Sequence, residues 1–179
     1  MKTYILITGG SSGIGYEMAQ LLAARKFNLI LVARSVDILQ KMQVELSSKY
    51  QIDVKYFQVD LSNVEATQEL YYTIKAQALH VSHLVNNAGF GDYGSFLETS
   101  LEKELNMVNL NISSLMLLTK LFAQDMAVRK SGRIMNVASL LSFIPFPYYS
   151  VYSATKAFVL AFSETIAAEL EDSGVVVTT

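Results

Sequence analysis

Cysteine is absent from the 179-residue chain, which excludes disulfide stapling and cysteine-ligated metal sites. Only two histidines occur, His80 and His83. No metal site is expected from them, and His83 is read as opening a strand. Long basic runs are also missing, and 14 Lys and Arg against 16 Asp and Glu leave a formal charge of −2. Nucleic-acid binding and electrostatic docking to a membrane are therefore not expected. No apolar stretch approaches the roughly 20 residues needed to span a bilayer. The N-terminal run Met1–Thr8 is too short for a signal peptide and passes straight into glycines, so it reads as a first buried strand. A soluble protein of a reducing, cytoplasmic compartment is the expectation.

What is present is apolar mass. Hydrophobic residues make up 51% of the chain and the mean hydropathy is +0.31, enough for one substantial core in a single domain over residues 1–179. Short apolar runs alternate with longer helical patterns. The candidate strands are Tyr4–Ile7, Asn28–Ala33, Asp53–Val59, Ser82–Asn86, Arg133–Val137 and Val175–Thr179. The candidate helices are Gly13–Arg25, Val36–Lys49, Val64–Ala78, Leu101–Arg129 and Val151–Glu171, with Leu115–Leu118 of the fourth expected to be buried. The strand runs are continuously apolar, as for parallel strands covered on both faces. Six such strands alternating with five helices predict an α/β doubly wound parallel sheet, Rossmann-like, in the order 3-2-1-4-5-6.

Four of the nine glycines fall in Gly9-Gly10-Ser11-Ser12-Gly13-Ile14-Gly15, directly between the first strand and the first helix. Glycine lets a backbone turn tightly and approach a pyrophosphate, which the helix N-terminus then stabilises. Nineteen residues beyond Gly15, the second strand ends at Arg34. An acidic residue near this place suits a ribose 2′-hydroxyl, whereas an arginine suits a 2′-phosphate. With hydroxyls from Ser11, Ser12 and Ser35 nearby, NADP(H) is favoured over NAD(H).

Tyr152 and Lys156 are four residues apart, so on a helix they share a face. A free tyrosine titrates near ~10, and an adjacent ammonium favours its phenolate. Ser139, thirteen residues earlier, follows the strand-like run Arg133–Ala138. A hydroxyl there can bind a carbonyl oxygen while the tyrosine moves its proton, which is carbonyl-reductase chemistry. Tyr71 and Lys75 repeat the spacing, but they sit in a polar helical stretch with no strand-end serine before them and are read as a solvated helix face.

Assembled, these pieces resemble the short-chain dehydrogenase/reductase family along essentially the whole chain. The family's glycine motif stands at Thr8-Gly9-Gly10-Ser11-Ser12-Gly13-Ile14-Gly15, its adenine-contacting aspartate at Asp60 in Val59-Asp60-Leu61, and its Asn-Asn-Ala-Gly at Asn86-Asn87-Ala88-Gly89. The asparagine of the long fourth helix falls on Asn111. The resemblance implies a catalytic tetrad of Asn111, Ser139, Tyr152 and Lys156. In it Tyr152 is the proton carrier, Ser139 positions the carbonyl, Lys156 perturbs the tyrosine and holds the ribose, and Asn111 interrupts its helix to hold a relay water. The implied nucleotide site comprises Gly9, Ser11, Ser12, Gly13, Ile14, Gly15, Arg34, Asp60, Leu61, Asn87, Ala88 and Gly89, together with Tyr152 and Lys156. The implied partner is a small carbonyl or alcohol compound, and the implied assembly a homodimer or homotetramer.

The departure from the family is at Val175–Thr179, where the chain stops inside the sixth strand. A truncated substrate region is therefore expected, and a catalytically incompetent nucleotide-binding fragment or regulatory paralogue stands as the alternative function. Phe143, Phe146, Tyr148 and Tyr149 precede Tyr152, while Phe90, Tyr93 and Phe96 follow the fourth strand. These aromatics either line a cleft for an apolar carbonyl compound or pack on one another.

Overall fold

The computed structural model describes residues 2–179. Six strands form one sheet in the order β3-β2-β1-β4-β5-β6: β1 Thr3–Thr8, β2 Asn28–Ala33, β3 Val54–Gln58, β4 His80–Asn86, β5 Gly132–Asn136 and β6 Val175–Thr178. Every adjacent pair is parallel, so each connection must cross over through a helix. The crossover helices are α1 Gly13–Ala24, α2 Val36–Tyr50, α3 Val64–Ala76, α4 Leu101–Val108, α5 Leu115–Val128 and α6 Ser150–Glu169. Short 3₁₀ turns occupy Leu140–Ser142 and Glu171–Ser173.

The apolar runs divide by strand alternation between two cores. Tyr4, Leu6, Ile30, Val32, Leu84 and Ile134 face one side, where Leu70, Ile74, Leu118, Phe122 and Met126 of α3 and α5 cover them. Ile5, Ile7, Leu29, Leu31 and Val85 face the other, against Ala19, Ala23, Leu39, Met42 and Leu46 of α1 and α2. Burial on both faces holds for β1 and β2 but not for β6, whose residues alternate buried and exposed. Among the described residues only α1 and α2 cover the second face, and Val176 stays 47% exposed there.

Three expectations about elements need correction. β4 begins at His80, which leaves His83 in the middle of the strand. The single candidate helix Leu101–Arg129 is two helices, because a π turn over Asn109–Ser114 separates α4 from α5 at the Asn111 interruption that the family resemblance implied. Within Leu115–Leu118 only the two end residues are buried, and Met116 is exposed. Among the described residues no helix is long and apolar enough to cross a membrane.

Candidate active site

Parallel strands all deliver their C-terminal ends to one edge of the sheet, and ligands of such folds collect there. β1 ends at Thr8, whose hydroxyl accepts the backbone N–H of Asn87 and of Ala88, each at 3.0 Å, and donates to Val85 O at 3.3 Å. The Asn87 amide donates in turn to the carbonyls of Thr8 and Gly9 at 3.0 and 3.3 Å. The ends of β1 and β4 are thus bolted together beneath the glycine loop. Gly9 has φ +67°, and its N–H donates to Val32 O at 2.8 Å. A Cβ on Gly15 would lie 2.3 Å from the Gly9 carbonyl oxygen, so the helix and the loop touch backbone to backbone.

Ser12 is the N-cap of α1, yet its side chain makes no capping bond and the first turn holds no acidic residue. Nothing approaches within 4 Å of the Cβ direction of Gly13, and Ile14 is exposed. An open helix N-terminus with bare N–H groups suits a phosphate anion. Arg34 stands exposed just beyond β2. Across from it, the Ser62 backbone N–H, aided by the Ser62 hydroxyl and the Arg34 charge, holds the Asp60 carboxyl below the usual range despite desolvation. Leu61 is placed differently from Asp60. Its side chain is buried in the first core, and its carbonyl accepts the Ser114 hydroxyl.

Asn111 lies in the π turn and is 1% exposed. Its amide nitrogen donates to Phe90 O and Thr155 Oγ1, both at 3.0 Å, while Oδ1 accepts the Phe90 N–H at 3.2 Å. Both amide protons are spent tying the segment after β4 to α6. A contact to water is left to the second Oδ1 lone pair or to the backbone. Phe90 was expected only as a cleft aromatic and Thr155 was not singled out in the sequence; the signal for their roles here is only proximity to Gly89 and Lys156.

α6 carries Tyr152 and Lys156 on one face. Lys156 is 5% exposed, and burial pushes its ammonium pKa down. Its Nζ donates to Val137 O at 2.7 Å and lies 5.9 Å from the centroid of the Tyr152 ring. A Cβ on Gly89 would sit 2.9 Å from Asn111 Oδ1 and 3.5 Å from Lys156 Nζ, and one on Gly91 would meet the Tyr152 ring at 3.0 Å. Ser139 follows β5 and caps the 3₁₀ turn, its Oγ accepting the Leu141 N–H at 3.2 Å. As that bond uses only a lone pair, the hydroxyl proton remains available for a carbonyl oxygen. Ser142 donates to Lys156 O at 2.8 Å, which joins this turn to α6.

The aromatics partly converge. Ring centroids run Tyr93–Tyr149 at 5.0 Å, Tyr93–Tyr148 at 5.6 Å, and Phe146–Tyr149 and Tyr149–Tyr152 both at 6.0 Å. Tyr148 has φ +68°, a strained conformation for an aromatic residue. Its carbonyl accepts the Gly94 N–H at 3.0 Å, clasping the two loops together. Phe96 and Phe143 remain exposed. An open groove of about 660 Å³ runs beside α6, lined by Leu141, Phe143, Ile144, Phe146, Ser153 and Ala157 among others. A comparable depression of about 720 Å³, around Asp53, lies at the opposite edge of the sheet, where the strands begin.

The second Tyr–Lys pair is not the solvated face expected of it. Tyr71 is buried against Phe122, and Tyr71 and Lys75 both bond Asp125, at 3.1 and 2.7 Å. Burial, then the Asp125 carboxylate, push its phenol up to about 12. Tyr4 is pushed to about 12 in the same way by burial and Asp53. Both groups favour the neutral phenol in the folded state. Their stabilising contribution is complete below the ordinary pKa near 10 and is lost as pH rises toward about 12. Urea unfolding across this alkaline window should show stability falling, and Tyr71→Phe should flatten part of the fall. An unaltered slope in that variant would remove Tyr71 as a cause.

Residues 3–179 match the family model described as short chain dehydrogenase. The very-long-chain 3-oxoacyl-CoA reductase of Bos taurus is 33% identical over 97% of this chain and 56% of its own length. The short-chain dehydrogenase of Sphingobium yanoikuyae, solved in complex with NADPH, superposes with a TM-score of 0.93 at 33% identity, covering 99% of this chain and 69% of that one. The bulky-bulky ketone specific alcohol dehydrogenase of Comamonas testosteroni gives 0.93 at 31%, covering 99% and 71%. The chain spans little more than half the length of the curated relatives it matches. It belongs to the short-chain dehydrogenase family.

Proposed function

We propose that this chain binds NADP(H) along the C-terminal edge of its sheet and interconverts an apolar carbonyl compound with the corresponding alcohol. The observation that carries the reading is the meeting of Tyr152, Lys156 and Asn111 around Gly89 and Gly91, directly after the Asn87–Ala88 segment that packs on the glycine loop at the uncapped start of α1. When bound, the nicotinamide supplies or accepts the hydride. Tyr152 Oη gives a proton to the carbonyl oxygen in reduction and takes it back in oxidation. Ser139 Oγ–H orients that oxygen. Lys156, fixed on Val137 O, places a positive charge beside the Tyr152 ring, which favours phenolate character as the proton leaves. Asn111 holds the Phe90 segment against Thr155 and so keeps the floor of the site in place.

The aromatic wall Tyr93–Tyr148–Tyr149–Phe146 ends at Tyr152 and favours a bulky apolar body on the substrate. The names of the relatives, a 3-oxoacyl-CoA reductase and a bulky-ketone dehydrogenase, support the same class. The test is NADPH oxidation with bulky ketones and 3-oxoacyl thioesters. Turnover of neither, with NADPH bound, would overturn the substrate class.

Arg34 is assigned the 2′-phosphate. A charge-assisted hydrogen bond contributes roughly 1.5–3 kcal/mol, so Arg34→Asp should weaken NADPH binding about tenfold to a hundredfold while NADH binding changes little. Fluorescence titration of both cofactors reads this directly. An equal loss for both would make Arg34 a structural residue instead.

A further inference from the structure

α6 is held to β5 at two heights. Near its start, Lys156 Nζ donates to Val137 O. Seven residues on, about two helical turns down the same face, the buried Ser163 hydroxyl accepts from Asn136 Nδ2 at 2.9 Å and donates to Val159 O at 2.6 Å. Asn136 and Val137 are consecutive. Each is tied to β4 through Asn86, whose carbonyl accepts the Val137 N–H at 3.0 Å and whose Nδ2 donates to Asn136 Oδ1 at 2.9 Å. The other Nδ2 proton goes to Thr119 Oγ1 at 2.9 Å, so the side chain that aims Asn136 is itself aimed by α5.

Asn136 and Ser163 are fully buried, at 0% and 1% exposure. The direction of each bond in the chain Asn86 to Asn136 to Ser163 to Val159 O follows from donor and acceptor capacity. The Ser163 proton goes to Val159 O, so toward Asn136 the oxygen can only accept. The other ties on α6, Lys156 Nζ to Val137 O, Thr155 Oγ1 to Asn111 and Lys156 O to Ser142, all fall within two consecutive residues and leave the helix free to tilt about that point. The Asn136–Ser163 bond joins a short side chain to a rigid strand and so fixes the axial position of the helix.

We propose that Asn136 and Ser163 are positioning residues that set the height and rotation of α6, and through it the placement of Tyr152 and Lys156 over the reacting carbonyl. The inference rests on the roles proposed above for Tyr152 and Lys156. Neither Asn136 nor Ser163 lines the site; they act through the helix. Displacement of about 1 Å at a reacting centre can cost on the order of a hundredfold.

In the whole protein, Ser163→Ala should lower kcat about tenfold to a hundredfold with the NADPH dissociation constant within about twofold of wild type. Ser163→Thr keeps both hydroxyl bonds and should restore most of kcat. Ile74→Val, a core change in α3 that is also expected to lower the melting temperature, should leave kcat unchanged. A second readout needs no turnover: the Lys156 ammonium resonance of isotopically labelled protein should exchange faster with solvent in Ser163→Ala but not in Ile74→Val. If wild type itself turns over no carbonyl compound, the functional reading fails and the ammonium exchange alone decides this proposal. Wild-type kcat together with wild-type ammonium exchange in Ser163→Ala would overturn it. So would a kcat loss matched by Ile74→Val at equal melting temperature, because the role is then only structural.

Discussion

Tyr152→Phe is expected to abolish most turnover while leaving NADPH binding nearly unchanged. The variant keeps the ring that packs at 3.0 Å on the Cβ direction of Gly91 and 6.0 Å from Tyr149, and it removes only the hydroxyl. General acid–base assistance is worth about 10²- to 10⁴-fold, so kcat should fall by that factor. The Lys156 ammonium remains on Val137 O and so keeps the place from which it is proposed to hold the cofactor. Steady-state kinetics with the best ketone, paired with a cofactor titration, separates the two effects. A variant that retains near-normal kcat would remove Tyr152 from the chemistry. Tyr71→Phe, at the same Tyr–Lys spacing, should leave kcat untouched, because its hydroxyl serves Asp125 far from the glycine loop.

The second large effect is expected at Gly15. Alanine is the better helix former by about 0.8–1.0 kcal/mol, and on propensity alone Gly15→Ala would stabilise α1. The geometry reverses the sign. The new methyl would lie 2.3 Å from Gly9 O and 2.5 Å from Asn87 Nδ2. Neither atom is free to yield, since Gly9 is pinned by its N–H on Val32 O and Asn87 by Thr8. Overpacking of this kind costs about 1–3 kcal/mol, and relief comes only by opening the loop proposed to receive the pyrophosphate. NADPH affinity should drop at least about tenfold, with a lower melting temperature. Gly13→Ala, with open space at its β position but φ +52°, should show backbone strain without the collision and a smaller loss of binding. Wild-type affinity in Gly15→Ala would mean that the close approach of helix and loop is not needed for binding.

Much of the fold was legible because its elements are locally consistent. Asn28–Ala33 was bounded correctly at both ends, since an unbroken apolar run Leu29–Ala33 between Asn28 and Arg34 has few alternatives. The strand order followed from alternation of strands and helices and the handedness of crossovers. Local patterns failed where a distant partner decided the outcome. The π turn at Asn109–Ser114 has no marker in its local pattern and was expected only from the family resemblance at Asn111, whose side chain is held by Phe90 and Thr155 from two other segments. Tyr71 and Lys75 resembled a solvated face until Asp125, fifty residues away on α5, supplied the carboxylate that binds both.

By itself, the sequence determined which residue types stand at the C-terminal ends of the strands: the glycines after β1, Arg34 after β2, Asp60 after β3, Asn87–Gly89 after β4 and Ser139 after β5. That is a consequence of periodicity and chain order, which are local properties. Tertiary structure alone decided which of two identical Tyr–Lys spacings faces a lysine ammonium on a backbone carbonyl and which faces an aspartate. It also decided that Leu61 turns into the core, that the amide of Asn111 is committed to protein partners, and that Thr8 bolts β1 to β4. Each of these depends on the electrostatic or hydrogen-bonding partner that the packed sheet brings within about 3 Å, and sequence spacing does not contain that partner.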